Sequence, residues 1–227
     1  MTRGDHGTLG GLMRASMLDG RSRAGFHIYG GARGPDAKAN FDKIGEAELF
    51  GDAAIFAAAL REQGVVVGDY CLIACSSLQM TISSFFAAVA LGVVPMIQPE
   101  AHALGGDQSL ATRMNTLCGR LGDRTWILME VNDTTETLGG IGRTDGIIPL
   151  HSSGPAAKAA LPPDEFHVAH LEDVAFLQAT SGTTGTGNLV AVPHRSVFAQ
   201  VEAIMHAGWD AHDVFSNWAP SITTSGL

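Results

Sequence analysis

The first forty-odd residues are spotted with Gly and Arg and carry little hydrophobic patterning. Within them only "GFHIYGG", Gly25 to Gly31, predicts a short strand and turn. A clear period begins in "EAELFGDAAIFAAALREQG". There Leu49, Ala53, Phe56, Ala57 and Leu60 recur at helical spacing, and Gly64 closes the segment. "VVVGD" then turns the chain into an apolar strand at "YCLIACS", Tyr70 to Ser76. "SLQMTISSFFAAVALG" predicts a mostly buried helix that starts on a Ser cap and stops at Gly92, and "VVPMIQP" a short strand after it. The next helix, Ser109 to Gly122, lines up Leu110, Met114, Leu117, Cys118 and Leu121 on one face, and "TWILMEV" follows as a strand.

Strand, helix, strand, helix, strand predicts an α/β fold: a parallel sheet with crossover helices. Residues 132–169 read as a loop-rich connector with one short strand at "GIIPL". Regular structure resumes with strands at "DVAFLQAT" and "NLVAVPH" and an amphipathic helix at "RSVFAQVEAIMHAGW". The expected organisation is one partial domain over residues 1–227, with a weakly structured start over 1–25.

Composition narrows the function classes. The 227 residues are 45% hydrophobic and 16% charged, enough for a well-buried core. A formal net charge of −9 with only 14 Lys and Arg, and no basic run, argues against nucleic acid as a partner. Three cysteines, Cys71, Cys75 and Cys118, do not make a disulfide framework; two lie in an apolar strand, as small hydrophobes in a reducing compartment. The N-terminus lacks the apolar core of a signal peptide. The longest apolar run, Phe85 to Ile97, is too short to span a bilayer and is broken by Gly92 and Pro95. These features predict a soluble, cytoplasmic protein without a membrane span.

The candidate chemistry lies in "FLQATSGTTGTGNLVAVPHRSV", Phe176 to Val197. Gly182 and Gly187 have the spacing of a Walker phosphate loop, but Asn188 and Leu189 stand where Lys and Ser or Thr belong, and a strand-like run follows instead of a helix. A polar hairpin loop is one remaining reading, since Gly, Thr and Ser favour turns for conformational reasons. The other is a strand–loop–strand phosphate cradle. In it, backbone N–H groups and the hydroxyls of Thr180, Ser181, Thr183 and Thr184 face an anion, and Gly182, Gly185 and Gly187 let the backbone approach.

This stretch resembles the phosphate loop of the adenylate-forming enzymes, the superfamily of acyl-CoA synthetases, peptide-synthetase adenylation domains and luciferases, whose usual form is "TSGTTGxPKGV". The preceding "FLQ" is most similar to the fatty acyl-AMP ligase branch. Two further segments resemble the same family in the same order: "LREQGVVVGDYCLIACSSLQMTISSFFAAVALGVVPMIQP", and "FSNWAPSITTSGL" against "xWLPxxHDMGL". The resemblance runs from about Phe26 to Leu227. It implies the N-terminal part of that family's large domain, without the C-terminal subdomain. It also implies ATP-dependent activation of a carboxylic, and by the branch a fatty, acid as acyl-AMP. ATP and Mg2+ are the implied cofactors, with later transfer to CoA or a carrier-protein thiol. Thr180, Ser181, Gly182, Thr183, Thr184 and Gly185 would inherit the phosphate role, with Asn188 beside them.

Two segments depart from the family pattern. Asn188 replaces the loop lysine and carries no charge. Thr223 and Thr224 replace a His-Asp pair that helps shape the meeting point of carboxylate and α-phosphate. Trp218 and Pro220 match the family's Trp-x-Pro; Trp218 is either the floor of the acyl or nucleotide pocket or a core aromatic, and Thr223 is a further pocket candidate. His194 and His206 match no family catalytic position and read as a loop and a helix-surface histidine. The family's adenine-binding segment, its Thr-Gly-Asp and its late catalytic lysine have no counterpart among these residues. Three readings follow: the N-terminal portion of an acyl-activating enzyme, a non-catalytic relative that binds a nucleotide or a partner, or one half of a split enzyme completed by a separate C-terminal half.

Overall fold

A computed structural model of the chain describes residues 7–20, 24–31, 40–99, 107–130, 140–142, 145–150, 159–180 and 187–208. The elements among them are α1 (Leu9–Asp19), β1 (Gly25–Gly31), β2 (Asn40–Gly45), α2 (Glu46–Glu62), β3 (Tyr70–Ala74), α3 (Leu78–Ala90), β4 (Val94–Ile97), α4 (Asp107–Leu121), β5 (Thr125–Glu130), β6 (Ile147–Leu150), β7 (Val174–Ala179), β8 (Leu189–Pro193) and α5 (His194–His206). A short 3-10 turn covers Pro163–Glu165.

β3 to β6 form the expected parallel sheet, in the order β4-β3-β5-β6. Both faces of this sheet are covered, which is why its strands read as apolar runs rather than alternating ones. Alternate residues nevertheless separate into two cores. Cys71, Ile73 and Leu128 face the cluster built with α2 and α3, whereas Leu72, Ala74, Ile127 and Met129 face Leu110, Met114, Leu117 and Cys118 of α4. The helical face predicted for α4 is thus the buried one. On α2, Ala53, Ala54, Ala57 and Ala58 are all buried, and small side chains there let α2 and α3 approach closely. All three cysteines are free and buried; burial, with the Asp69 carboxylate nearby, pushes the Cys71 thiol well above its ordinary range.

The turn into β3 is pinned by one buried carboxylate. Asp69 accepts from the Val66 N–H at 3.0 Å, from Trp126 Nε1 at 2.9 Å and from the Arg124 guanidinium, tying the start of β3 to β5. At the other end of the same strands, Glu130 is buried and accepts from Ser76 Oγ at 3.0 Å and the Ser77 N–H at 3.1 Å. Ser77 in turn caps α3 by accepting from the Met80 N–H.

α1 corrects the expectation of a weakly structured start. Gly10 and Gly11 dilute the periodicity of "LGGLMRASMLD", so the helix is set by its ends and its neighbours. Thr8 accepts from the Gly11 N–H at 3.1 Å, and Gly20 closes the helix in the left-handed region at φ 61°. Met13 is fully buried, and Ser16 donates to Glu46 at the start of α2. β1 and β2 form a separate antiparallel pair, and β7 and β8 another. Within the 132–169 connector, β6 forms where a strand is expected, and Leu161 and Phe166 anchor its far end in the core.

One glycine is fixed by packing. Gly92, after α3, has φ 70°, and a Cβ there would lie 2.5 Å from the His167 ring, whose residue is held by its N–H to the Ala90 carbonyl at 2.8 Å. Among the described residues no helix is long and apolar enough to cross a membrane.

Candidate functional site

The candidate loop is carried by the β7–β8 pair. The strands are antiparallel, with Gln178 opposite Val190 and Ala179 opposite Leu189. β7 runs next to β4, so the hairpin stands against the edge of the parallel sheet. Its two faces are packed differently. Leu177, Ala179 and Leu189 join the α4-side core, while the Phe176 ring meets Phe85 of α3 with centroids 5.9 Å apart.

Two hydrogen bonds close the neck of the loop. The Thr180 N–H donates to the Asn188 carbonyl at 2.9 Å, extending the ladder by one rung. The Asn188 N–H donates to Thr180 Oγ1 at 3.1 Å. Thr180 Oγ1 accepts from the backbone, which leaves its own O–H able to donate elsewhere. Gly187 sits at φ 62°, a left-handed conformation that turns its carbonyl toward α4. There Arg120, in the last turn of the helix, donates from Nη1 at 2.9 Å. The guanidinium thus ties the Gly187 carbonyl to the end of α4.

Of the residues singled out in the sequence, Thr180 and Asn188 are therefore brought together at the base of the loop. Ser181, Gly182, Thr183, Thr184 and Gly185 lie outside the described residues, as do Trp218, Pro220, Thr223 and Thr224. A strand, not a helix, follows Asn188, in keeping with the rejection of a Walker loop.

His194 is not the loop histidine expected. It opens α5, is buried, and its Nδ1 accepts from the Leu9 N–H at 3.2 Å, while its own N–H donates to the Asp173 carbonyl at 3.0 Å. Burial lowers its pKa, the Asp173 carboxylate opposes that, and His167 adds to it. The ring is thereby held neutral with its proton on Nε2. His206 is exposed on α5, as expected, with Nδ1 2.7 Å from the Glu202 carbonyl. Arg120, which reaches the neck, carried no sequence signal of a site. A basic residue in a last helical turn is common as a partner of the helix dipole.

Among the described residues no group of three or more His, Cys, Asp or Glu side chains is placed to hold a metal ion.

Comparison with known proteins places this geometry in a family. Solved structures similar to the chain include an adenylation domain of a keto acid-selecting NRPS module bound to keto acyl adenylate, with TM-score 0.75, 22% identity and 95% of the chain covered. They also include the fatty acyl-adenylate ligase from L. pneumophila in complex with acyl adenylate and pyrophosphate, with TM-score 0.72, 16% identity and 97% covered. A third is McyG A-PCP complexed with phenylalanyl-adenylate, with TM-score 0.71, 19% identity and 93% covered. At these identities the likeness is one of fold. The chain spans 38%, 36% and 37% of those three structures, respectively. The model of the AMP-binding enzyme family matches residues 32–227, and on that match the chain belongs to the AMP-binding enzyme family.

Proposed function

We propose that this chain is the N-terminal part of an enzyme that activates a carboxylic acid with ATP. The carboxylate attacks the α-phosphate, an acyl adenylate forms, and pyrophosphate leaves. The observation that carries the proposal is the closed neck of the β7–β8 loop within a chain of the AMP-binding enzyme family: Thr180 paired with Asn188, and Gly187 tied to Arg120. In this reading the loop from Thr180 to Gly185 surrounds the β- and γ-phosphates with hydroxyl and backbone donors. Their task is electrostatic, the stabilisation of charge that develops on the leaving pyrophosphate.

The finer reading is a fatty acid as substrate and a thiol, of CoA or of a carrier protein, as acceptor. The "FLQ" before the loop and the likeness to a fatty acyl-adenylate ligase support the first, and the likeness to an A-PCP structure supports a carrier. Carboxylate-dependent ATP–pyrophosphate exchange by the full natural protein is the test. Exchange with medium- or long-chain fatty acids is expected; a folded protein that binds MgATP yet exchanges with no fatty or aryl acid would remove the catalytic reading.

A second reading is favoured by Asn188 in place of the family lysine and by Thr223 and Thr224 in place of the His-Asp pair. It is a relative that binds a nucleotide without adenylating an acid. A split enzyme, restored by adding a separate C-terminal half, is distinguished from it by recovery of exchange on mixing.

A further inference from the structure

One buried imidazole meets the starts of two helices. His194 is the first residue of α5, so its ring belongs to that helix's first turn. Its Nδ1 also accepts from the Leu9 N–H at 3.2 Å, and Leu9 is the first residue of α1, directly after the Thr8 cap. The ring is buried, as are Thr8 and Gly10. A neutral imidazole suits this place, because its lone pair satisfies one of the N–H groups that the start of α1 leaves free. An imidazolium does not. It sets one N–H against another and a positive charge against the positive ends of two helix dipoles.

Among the described residues no carboxylate is hydrogen-bonded to the ring. The titratable and charged groups around it are His167, His170, Glu172 and Asp173 in the segment before β7, and Arg195 beside it on α5. Asp173 favours the imidazolium through space, but its Oδ2 already accepts from the His170 N–H at 2.7 Å, and His167 opposes it. Glu172 is paired with Arg195 at 2.9 Å. β7 and β8 carry no charged residue, and the described part of α1 brings none nearer in sequence to Leu9 than Arg14.

α1 is weak as a free helix. It has 11 residues, with Gly10 and Gly11 in its first turn, too short and too glycine-rich to persist undocked. Met13 is buried beside α2 and α3 and Ser16 donates to Glu46, but the first turn is tied to His194. The start of α5 is held differently. The His194 N–H donates to the Asp173 carbonyl at 3.0 Å and the Arg195 N–H to the Leu171 carbonyl at 2.9 Å, bonds that a proton on the ring does not break. We propose that His194 is an acid-sensitive latch, which holds α1 docked while neutral and on protonation releases α1 from a sheet that stays folded. Burial and His167 lower its pKa in the docked form, whereas water reaches the ring once α1 has lifted. Docking is therefore complete above the ordinary value of about 6.5 and is lost progressively below it. The latch works independently of the β7–β8 loop.

The test is amide hydrogen exchange of the full natural protein from about pH 8 to about pH 5, with rates corrected for the intrinsic effect of pH. α1 is expected to exchange through an opening of its own, with protection at least about tenfold below that of β5 at every pH. That protection should hold above about pH 7 and fall about tenfold per pH unit below about 6.5, the slope of one proton. His194→Asn, which keeps an acceptor that does not titrate, should remove the slope. Ser16→Ala should lower α1 protection evenly across the range and keep the slope. Equal protection of α1 and β5 at every pH would overturn the proposal, because α1 then leaves only when the whole fold does. So would a flat α1 profile in the unaltered protein, or a slope that survives His194→Asn. A slope lost with Ser16→Ala would assign the proton to Glu46 and overturn the proposal as well.

Discussion

The Leu9 N–H donates to the imidazole of His194 across 185 residues of sequence, at 3.2 Å. One bond thus joins the first turn of α1 to the junction of β8 and α5. It requires an unprotonated Nδ1, since a protonated one would set two donors against each other. His194 also sits at a helix N-terminus, where a positive charge is disfavoured.

Stability should therefore depend on pH through this ring. The folded-state pKa is lowered, so the unfolded chain takes up the proton first as pH falls through the ordinary value of about 6.5. The stabilisation is complete above that value and is lost progressively below it. Thermal unfolding between pH 8 and pH 5 should show Tm falling on the acid side. His194→Asn, which keeps an acceptor that does not titrate, should flatten that part of the profile. An unchanged profile would show that this ring does not govern acid stability.

At Gly92, space and backbone act together. Gly92→Ala must tolerate φ 70° and a Cβ 2.5 Å from the His167 ring, a penalty of about 2–4 kcal/mol. Gly64→Ala meets only the conformational part, because its φ is 89° but nothing lies within 4 Å. Its loss should be about 1–2 kcal/mol. Urea denaturation of the two variants should rank them in that order.

Asn188→Lys restores a cation at the loop neck. Asn188 is exposed and its backbone N–H already closes the neck, so the side chain can change without opening it. Pyrophosphate or ATP affinity, measured by calorimetry, should rise several-fold and fall again with added salt. No change would mean that the loop does not face phosphate.

Arg120→Ala should release the Gly187 carbonyl while leaving α4 in place, because the side chain is exposed and its helix is anchored by Leu110, Met114 and Leu117. Amide hydrogen exchange should quicken at Gly187 and Asn188 but not in β5. Pyrophosphate affinity should fall a few-fold through the looser loop.

Much of the scaffold was legible in the sequence because burial on both faces leaves a strong mark. "CLIA" of β3 and "WILM" of β5 are continuous apolar runs, and the spacing of Leu110, Met114 and Leu117 marks the face of α4. The two strands around the Gly- and hydroxyl-rich stretch were legible as apolar runs, and Thr180 and Asn188 meet where they end. What escaped was set by distant partners. α1 has two glycines in its first turn and depends on Ser16 meeting Glu46 and on Leu9 meeting His194. Arg120 reaches the Gly187 carbonyl only because α4 is brought beside the start of β8, a relation that no local pattern encodes.

Glu130 has a consequence for where an anionic ligand can sit. The chain leaves β3 toward β4 on one side and returns with β5 on the other, so the ends of β3 and β5 flank the point where the winding reverses. Open α/β sheets commonly receive their ligands in that crevice, against the start of a helix. Here the start of α3 already holds the protein's own carboxylate, with both Ser76 and Ser77 turned to it. A phosphate arriving there would meet a cap already occupied by Glu130. The parallel sheet thus fills the start of α3, beside its own winding reversal, with a carboxylate of its own.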